Sequence, residues 1–363
     1  MSNAIEHFSR TRVENTTLQV IADTQRNLDR LIREEETVIR RYIRLDTWPH
    51  NSVNMFVVEN LQPLVAQVKS AAVLSSVVAD DIDSRPMVNI YDAADLAECT
   101  VFVNRRVLEK EGIWNDATSL RALLAHEHGH PLVENETVRA ARGLSVEVTA
   151  ESRTSTTAIV GVLHLLADRL CIHSPQEVFA NEIAIHAGFG DALFHLDMGV
   201  VERARFGVAK RASLVRDLEK RAKVGKLTAV QVAALLLVGD LQAYLGFALE
   251  TAPFLRAGHR QQAQALEAAL VEGVLCHLDP AAPQLYEKFR DHYLQLRTDF
   301  TLAEMKVWSS AALDLLADAI AQRHLQLRFS VVRTHPTAKP RRQSRLGHAS
   351  GVHNSIEHDG GSP

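Results

Sequence analysis

Three cysteines in a chain of 363 residues are too few, and Cys99, Cys171 and Cys276 too scattered, for a disulfide scaffold or a zinc ribbon. Charge of one sign is missing as well. The 44 acidic side chains nearly balance 40 basic ones, and a net charge of −4 does not mark a nucleic-acid binder. The opening stretch MSNAIEHFSRTRVENTT has no apolar secretory core, so export is not expected and a cytoplasmic location is. Long uninterrupted apolar runs are also absent. The two most apolar stretches, 156–172 and 229–249, carry His164, Asp168 and Arg169 in the first and Asp240 and Gln242 in the second. Ionisable groups in mid-span are costly in a bilayer, so both stretches read as buried core helices and no integral membrane segment is expected. No internal repeat is visible.

What is present is a globular composition, 46% hydrophobic and 23% charged, with length for one large or two ordinary domains. Residues 14–45 place Leu18, Ile21, Leu28, Ile32, Ile39 and Tyr42 on one stripe, predicting an amphipathic helix, and 52–79 read as a second helix. Between 86 and 105 the segments PMVNIYD and CTVFVN are β-branched and aromatic; they predict two short strands, the one clear strand signal in the chain. From 117 to about 330 the period and the Ala/Leu/Glu content are helical, with breaks expected near Gly143, Ser174–Pro175, Gly188–Gly190, Thr251–Pro253 and Asp279–Pro283. The expected organisation is N-terminal helices over 1–85, a core over 86–200 and a helical region over 201–332. A further segment at 333–346 and a disordered, Ser-, His- and Gly-rich tail at 347–363 complete it.

Histidine is the residue type in surplus. Of 17, seven fall between positions 126 and 195. Among them His126-Glu127-His128-Gly129-His130 forms an H-E-x-x-H motif, behind a helical run that Asp116 or Thr118 can cap. Positions i and i+4 share a helix face, so His126 and His130 can bind one zinc ion from the same side. Glu127, next to the first ligand, can act as general base toward a water at the metal. His128 points about 200° away from His126, which makes it a poor ligand.

A catalytic zinc site needs a third protein ligand and an open position. The segment SPQEVFANEIAIHAGFG offers one: Ser174 as cap, Pro175 in the first turn, Gly188 as the end, and Glu177 and Asn181 four apart on one face. Glu177 would bind the metal and Asn181 would orient a histidine ring, with Glu182 as the fallback ligand. The competing reading is a capping box, Ser174-x-x-Glu177, in which Glu177 only closes the helix start. His186, His195 and the pairs Cys171-x-His173 and Cys276-His277 are weaker metal or cleft candidates.

These motifs together resemble the HtpX and CaaX-prenyl-protease family of gluzincin metallopeptidases. Asn89-Ile90-Tyr91 corresponds to the family's Asn-Ala-aromatic strand, and Val101-Phe102-Val103-Asn104-Arg105 with Leu108 to its second strand and turn. Residues 117–130 correspond to its zinc helix. Glu177-Val178-Phe179-Ala180-Asn181 matches its E-x-x-A-D motif with Asn for Asp, and Thr334-His335-Pro336 followed by Arg341 keeps the spacing of a late S/T-H-P-P-x-x-x-R element. The likeness covers roughly residues 86–190 and 333–346.

The resemblance implies a zinc-dependent endopeptidase acting on a protein or peptide, with one Zn2+ per chain on His126, His130 and Glu177. It further implies Glu127 as catalytic base, His335 and Arg341 as stabilisers of the oxyanion, and a substrate paired with an edge strand around 100–104. Three departures stand out. Pro131 must end or kink the zinc helix at its second ligand. Asn181 orients a histidine less strongly than a carboxylate would. The family's membrane helices have no counterpart, so a membrane-embedded substrate is not expected.

The fold expected is α+β and predominantly α-helical, a zincin-like metallopeptidase core with a small antiparallel β-sheet. Two other readings compete. H-E-x-x-H with E-x-x-A-N is also similar to the ImmA/IrrE regulatory proteases, which cleave a repressor, although no helix-turn-helix accompanies it here. A non-catalytic helical interaction protein stapled by a structural zinc is the other.

Overall fold

A computed structural model describes residues 6–61, 85–150, 157–278, 280–322 and 327–334. Five segments in its first part form strands, β1 (His7–Val13), β2 (Thr16–Ala22), β3 (Ser52–Val58), β4 (Met87–Asp92) and β5 (Asp95–Asn104), and burial alternates along β1, β2 and β3. They make one mixed sheet in the order β1-β2-β3-β5-β4. The β1–β2 and β4–β5 pairs are antiparallel, whereas β2–β3 and β3–β5 are parallel. Helix α1 (Leu28–Arg44) makes the crossover that the parallel pair β2–β3 requires.

This corrects the N-terminal expectations. The helix over 14–45 begins only at Leu28, because the stripe through Leu18 and Ile21 joins two faces of a strand. Thr16, Leu18, Val20 and Ala22 are buried with period two, and Ile21 faces the other way. In the same manner Val53, Met55 and Val57 are buried alternately, so 52–58 is strand rather than helix. The rest of that expected helix, 62–79, lies outside the described residues. The segment expected as N-terminal helices therefore contributes three strands to the sheet that also holds β4 and β5. That sheet is mixed, not antiparallel, and the two strands foreseen are not the only ones.

Downstream the chain is helical, as expected, through α2 (Arg105–Lys110), α3 (Ala117–Gly129), α4 (Glu136–Ala141), α5 (Thr157–Asp168), α6 (Ser174–Ala184) and α7 (Gly190–Lys223). It continues through α8 (Ala229–Tyr244), α9 (Phe247–Arg256), α10 (Arg260–Gly273), α11 (Ala282–Leu294) and α12 (Leu302–Ala321). Two unforeseen strands, β6 (Leu144–Ala150) and β7 (Leu327–Arg333), pair antiparallel and tie the end of the helical region back to the middle of the chain. Gly143 precedes β6, and the break near residue 280 separates α10 from α11. Gly188 does break the helix, with φ of 88°, inside a π turn between α6 and α7. The break at Ser174–Pro175 does not occur, because a π turn over Arg169–His173 carries α5 into α6. Pro253 sits inside α9.

Both apolar stretches pack as core helices. Asp240 in the second meets Arg211 at 2.6 Å. Among the described residues no helix is long and apolar enough to cross a membrane.

Helix α3 runs through the middle of this arrangement, against α1, α6, α7 and strand β4. Its Leu120, Ala122, Leu124 and Ala125 are fully buried, as a helix enclosed on several sides demands. The Tyr42 hydroxyl of α1 donates to the Ala125 carbonyl at 2.8 Å. One turn further on, Gly129 touches α6, and a Cβ there would lie 2.7 Å from the Ala180 carbonyl oxygen. Backbone cannot yield as a side-chain tip can, so Gly129→Ala should force the helices apart and cost about 1–3 kcal/mol of stability in urea unfolding. An unchanged unfolding midpoint would contradict that close approach.

Candidate metal centre

Asp116 caps α3, accepting from the Thr118 N–H at 3.0 Å and the Ser119 hydroxyl at 2.7 Å. The helix ends at Gly129, and the chain tightens into a 3-10 turn over His130–Val133, the ending that Pro131 was expected to impose. His130 nevertheless keeps helical dihedrals. Pro131 has no N–H for the Glu127 carbonyl, and the Asn89 side chain of β4 fills that place, donating at 3.0 Å. The Tyr91 hydroxyl, also on β4, lies 3.1 Å from the His130 carbonyl and accepts from Gln176 of α6 at 3.0 Å. Strand β4 thus secures the broken end of the helix. It is also the edge of the sheet, whereas β5 lies between β3 and β4. The edge expected around 100–104 is therefore an interior strand; among the described residues the sheet ends at β4 (87–92) on this side and at β1 on the other.

Three of the expected residues come together. His126 Nε2 and His130 Nε2 are 3.1 Å apart, and Glu177 Oε2 lies 3.3 Å from the first and 3.9 Å from the second. Asn181 Oδ1 is 2.7 Å from His126 Nδ1. An amide oxygen only accepts, so Nδ1 carries a proton and it is Nε2 that faces Glu177 and His130. The Asn181 amide in turn donates to Glu250 Oε2 at 3.2 Å, which places a carboxylate one residue behind the neutral amide.

The capping-box alternative is not formed: α6 has no side-chain cap, and Glu177 faces the histidines. Glu182 is taken by Arg256 at 3.0 Å. His128 points away, as expected, and meets Glu35 at 2.7 Å. The weaker candidates stay apart from the cluster. His186 is largely exposed, His195 pairs with Asp116 at 2.7 Å, and His173 pairs with Asp168 at 3.1 Å. Cys171 is buried and Cys276 exposed. His335 and Arg341 lie outside the described residues. Thr334, just before them, is anchored by its N–H to the Gly143 carbonyl at 2.9 Å.

The electrostatics favour a cation. Burial works against a charged His126, yet Glu177, Glu127 and Glu250 outweigh it and raise its pKa to about 9. Burial lowers His130, helped by the proximity of His126. For Glu177 burial acts upward, but His130, His126 and Arg85 hold the carboxyl well below the usual range. Burial raises both Asp197 and Glu250, and Glu250 adds to the effect on Asp197. Carboxylates that favour a proton on His126 also favour a divalent cation in its place.

The donor set also fits zinc by size. Zn–N and Zn–O bonds of about 2.0–2.2 Å at tetrahedral angles place the donor atoms roughly 3.3–3.5 Å apart. Two imidazoles and one carboxylate, with side chains 13–26% exposed, leave a side open to solvent. Arg85, Asp197 and Glu250 were not foreseen. A carboxylate inside the apolar stretch FALETAPFLR was a readable signal for Glu250; Arg85 carried none.

No family model, curated protein or solved structure matches the chain. The centre therefore stands on its own geometry. Asn181→Ala, which removes the acceptor behind His126, should weaken zinc binding about 10–100-fold in competition with a chelator. Unchanged affinity would mean that Asn181 does not orient the ligand.

Proposed function

We propose that this chain is a zinc-dependent metalloendopeptidase with a zincin-like core. His126, His130 and Glu177 are its metal ligands and Glu127 is its general base. The observation that carries this reading is the convergence of two Nε2 atoms and a carboxylate oxygen within 3.1–3.9 Å, with Asn181 fixing the tautomer of the first ring. Two histidines and a glutamate are a donor set of catalytic rather than closed zinc sites.

Zinc bound there supplies Lewis acidity toward a peptide carbonyl and makes a water acidic near neutral pH. Glu127, held on the same helix between the two ligands, takes the proton of the attacking water on its carboxylate and delivers it to the leaving amine nitrogen. The open edge of β4 offers backbone N–H and C=O groups to an extended peptide, beside the helix whose end it secures. Arg85 lies two residues before that strand, and its charge reaches Glu177 and His130. It is placed to stabilise an oxyanion, the role that the late segment with His335 and Arg341 is proposed to share.

Glu127→Gln keeps the shape of the side chain and removes the base. It should lower cleavage of a quenched fluorescent peptide library by about 10²–10⁴-fold with metal content unchanged. Full activity in that variant, or a wild-type chain that purifies without metal, would overturn the assignment.

A further inference from the structure

His128 is no ligand of the centre above, but it belongs to a second cluster on the other face of α3. One ring nitrogen of His50, one of His128 and the Cys99 sulfur lie within 4.8 Å of one another. His50 precedes β3, Cys99 is on β5 and His128 is on α3. Their exposures are 2%, 1% and 0%, so water does not compete for these atoms.

Each histidine has one nitrogen engaged on its outer side. His50 Nδ1 donates to the Leu96 carbonyl, and His128 Nε2 donates to Glu35 Oε1 at 2.7 Å. Both acceptors are oxygens, so the proton of each neutral ring sits on the outer nitrogen. The inner nitrogens, His50 Nε2 and His128 Nδ1, are both buried without a well-formed hydrogen bond; burial keeps His50 neutral, whereas Glu35 and Cys99 favour a proton on His128 that a metal would displace. A single Cys99 thiol proton can meet only one of them. Buried acceptors are rarely left unmet.

We propose that His50, Cys99 and His128 bind a second metal ion, a borderline-soft divalent cation such as zinc. Sulfur with two imidazoles is a donor set that such ions prefer. Loading releases two protons to solvent, that of the Cys99 thiol and the one Glu35 holds on His128, and leaves a thiolate and two neutral imidazoles as ligands. The Leu96 carbonyl and Glu35 orient the two rings from behind, as metal-bound histidines require. The Trp48 indole packs edge-on against both, with centroids 4.8 and 4.9 Å away. The ion would join α3 to the sheet and, through Glu35, to α1, fixing the helix that carries His126 and His130. Its role is structural, and it does not depend on the chain being a peptidase.

Cobalt distinguishes the two sites, because only this one contains sulfur. The full chain produced in cobalt-supplemented, zinc-poor medium should carry two equivalents of metal and a thiolate-to-cobalt charge-transfer band in the near ultraviolet. Cys276→Ala, at the exposed cysteine, should keep that band. Cys99→Ala should lose the band and one equivalent, while Glu177→Ala should keep the band and lose the other equivalent. The wild-type spectrum decides even if Cys99→Ala does not fold. One equivalent with the band present would support this site and sink the peptidase centre. No band at full cobalt supply would overturn the proposal and leave His128 and Glu35 as a metal-free pair, and a band surviving Cys99→Ala would overturn it equally.

Discussion

The close contact of α3 with α6 is the constraint on which the centre depends. Two imidazoles one helical turn apart can face one point, but they cannot supply the third donor themselves. Glu177 reaches them because Gly129 has no Cβ to hold the Ala180 backbone off. The contact lies beside the second histidine, so a small displacement of either helix would move a carboxylate oxygen relative to both rings. The end of α3 is delicate for a second reason, since Pro131 removes a hydrogen bond there. Asn89 and Tyr91 of the edge strand secure it instead. The strand at this edge of the described sheet is thus the same one that holds the two histidines in place.

Behind the proposed ligands the charges are arranged in layers. Asn181 is neutral, but it relays between His126 and Glu250, so the ring feels a carboxylate through an amide. Glu250 comes from α9, far along the helical region, and Asp197 from α7 lies buried near it. The long helical region is therefore part of the site's foundation. The pairing of β6 with β7 brings the chain beyond α12 back beside the turn that follows α4, next to the Tyr91 and Glu134 side of the sheet.

How much of this was legible in the sequence depends on the range of the interaction. The pairs His126/His130 and Glu177/Asn181 are local, each spaced by one helical turn, and the structure places them as that spacing requires. The helical run after 117 and the strands at 87–104 were legible for the same reason. At 16–22 the signal misled, because Leu18 and Ile21 are three apart, a separation that suits a helix face as well as opposite faces of a strand. The edge of the sheet was not legible, since it depends on which strands pair across the chain. Likewise the spacing implied that His128 faces away from His126, and it does so in the structure. Its meeting with His50 and Cys99 needed the tertiary fold to be seen.

The central claim is that a carboxylate from α6 completes a metal site begun by His126 on α3 and His130 just past its end. Metal content measured on the purified wild-type chain and on Glu177→Ala, side by side, tests it most directly. The account predicts that the variant, still folded, carries one equivalent fewer than the wild type. Equal metal content in the two would contradict it and return Glu177 to an ordinary helix residue.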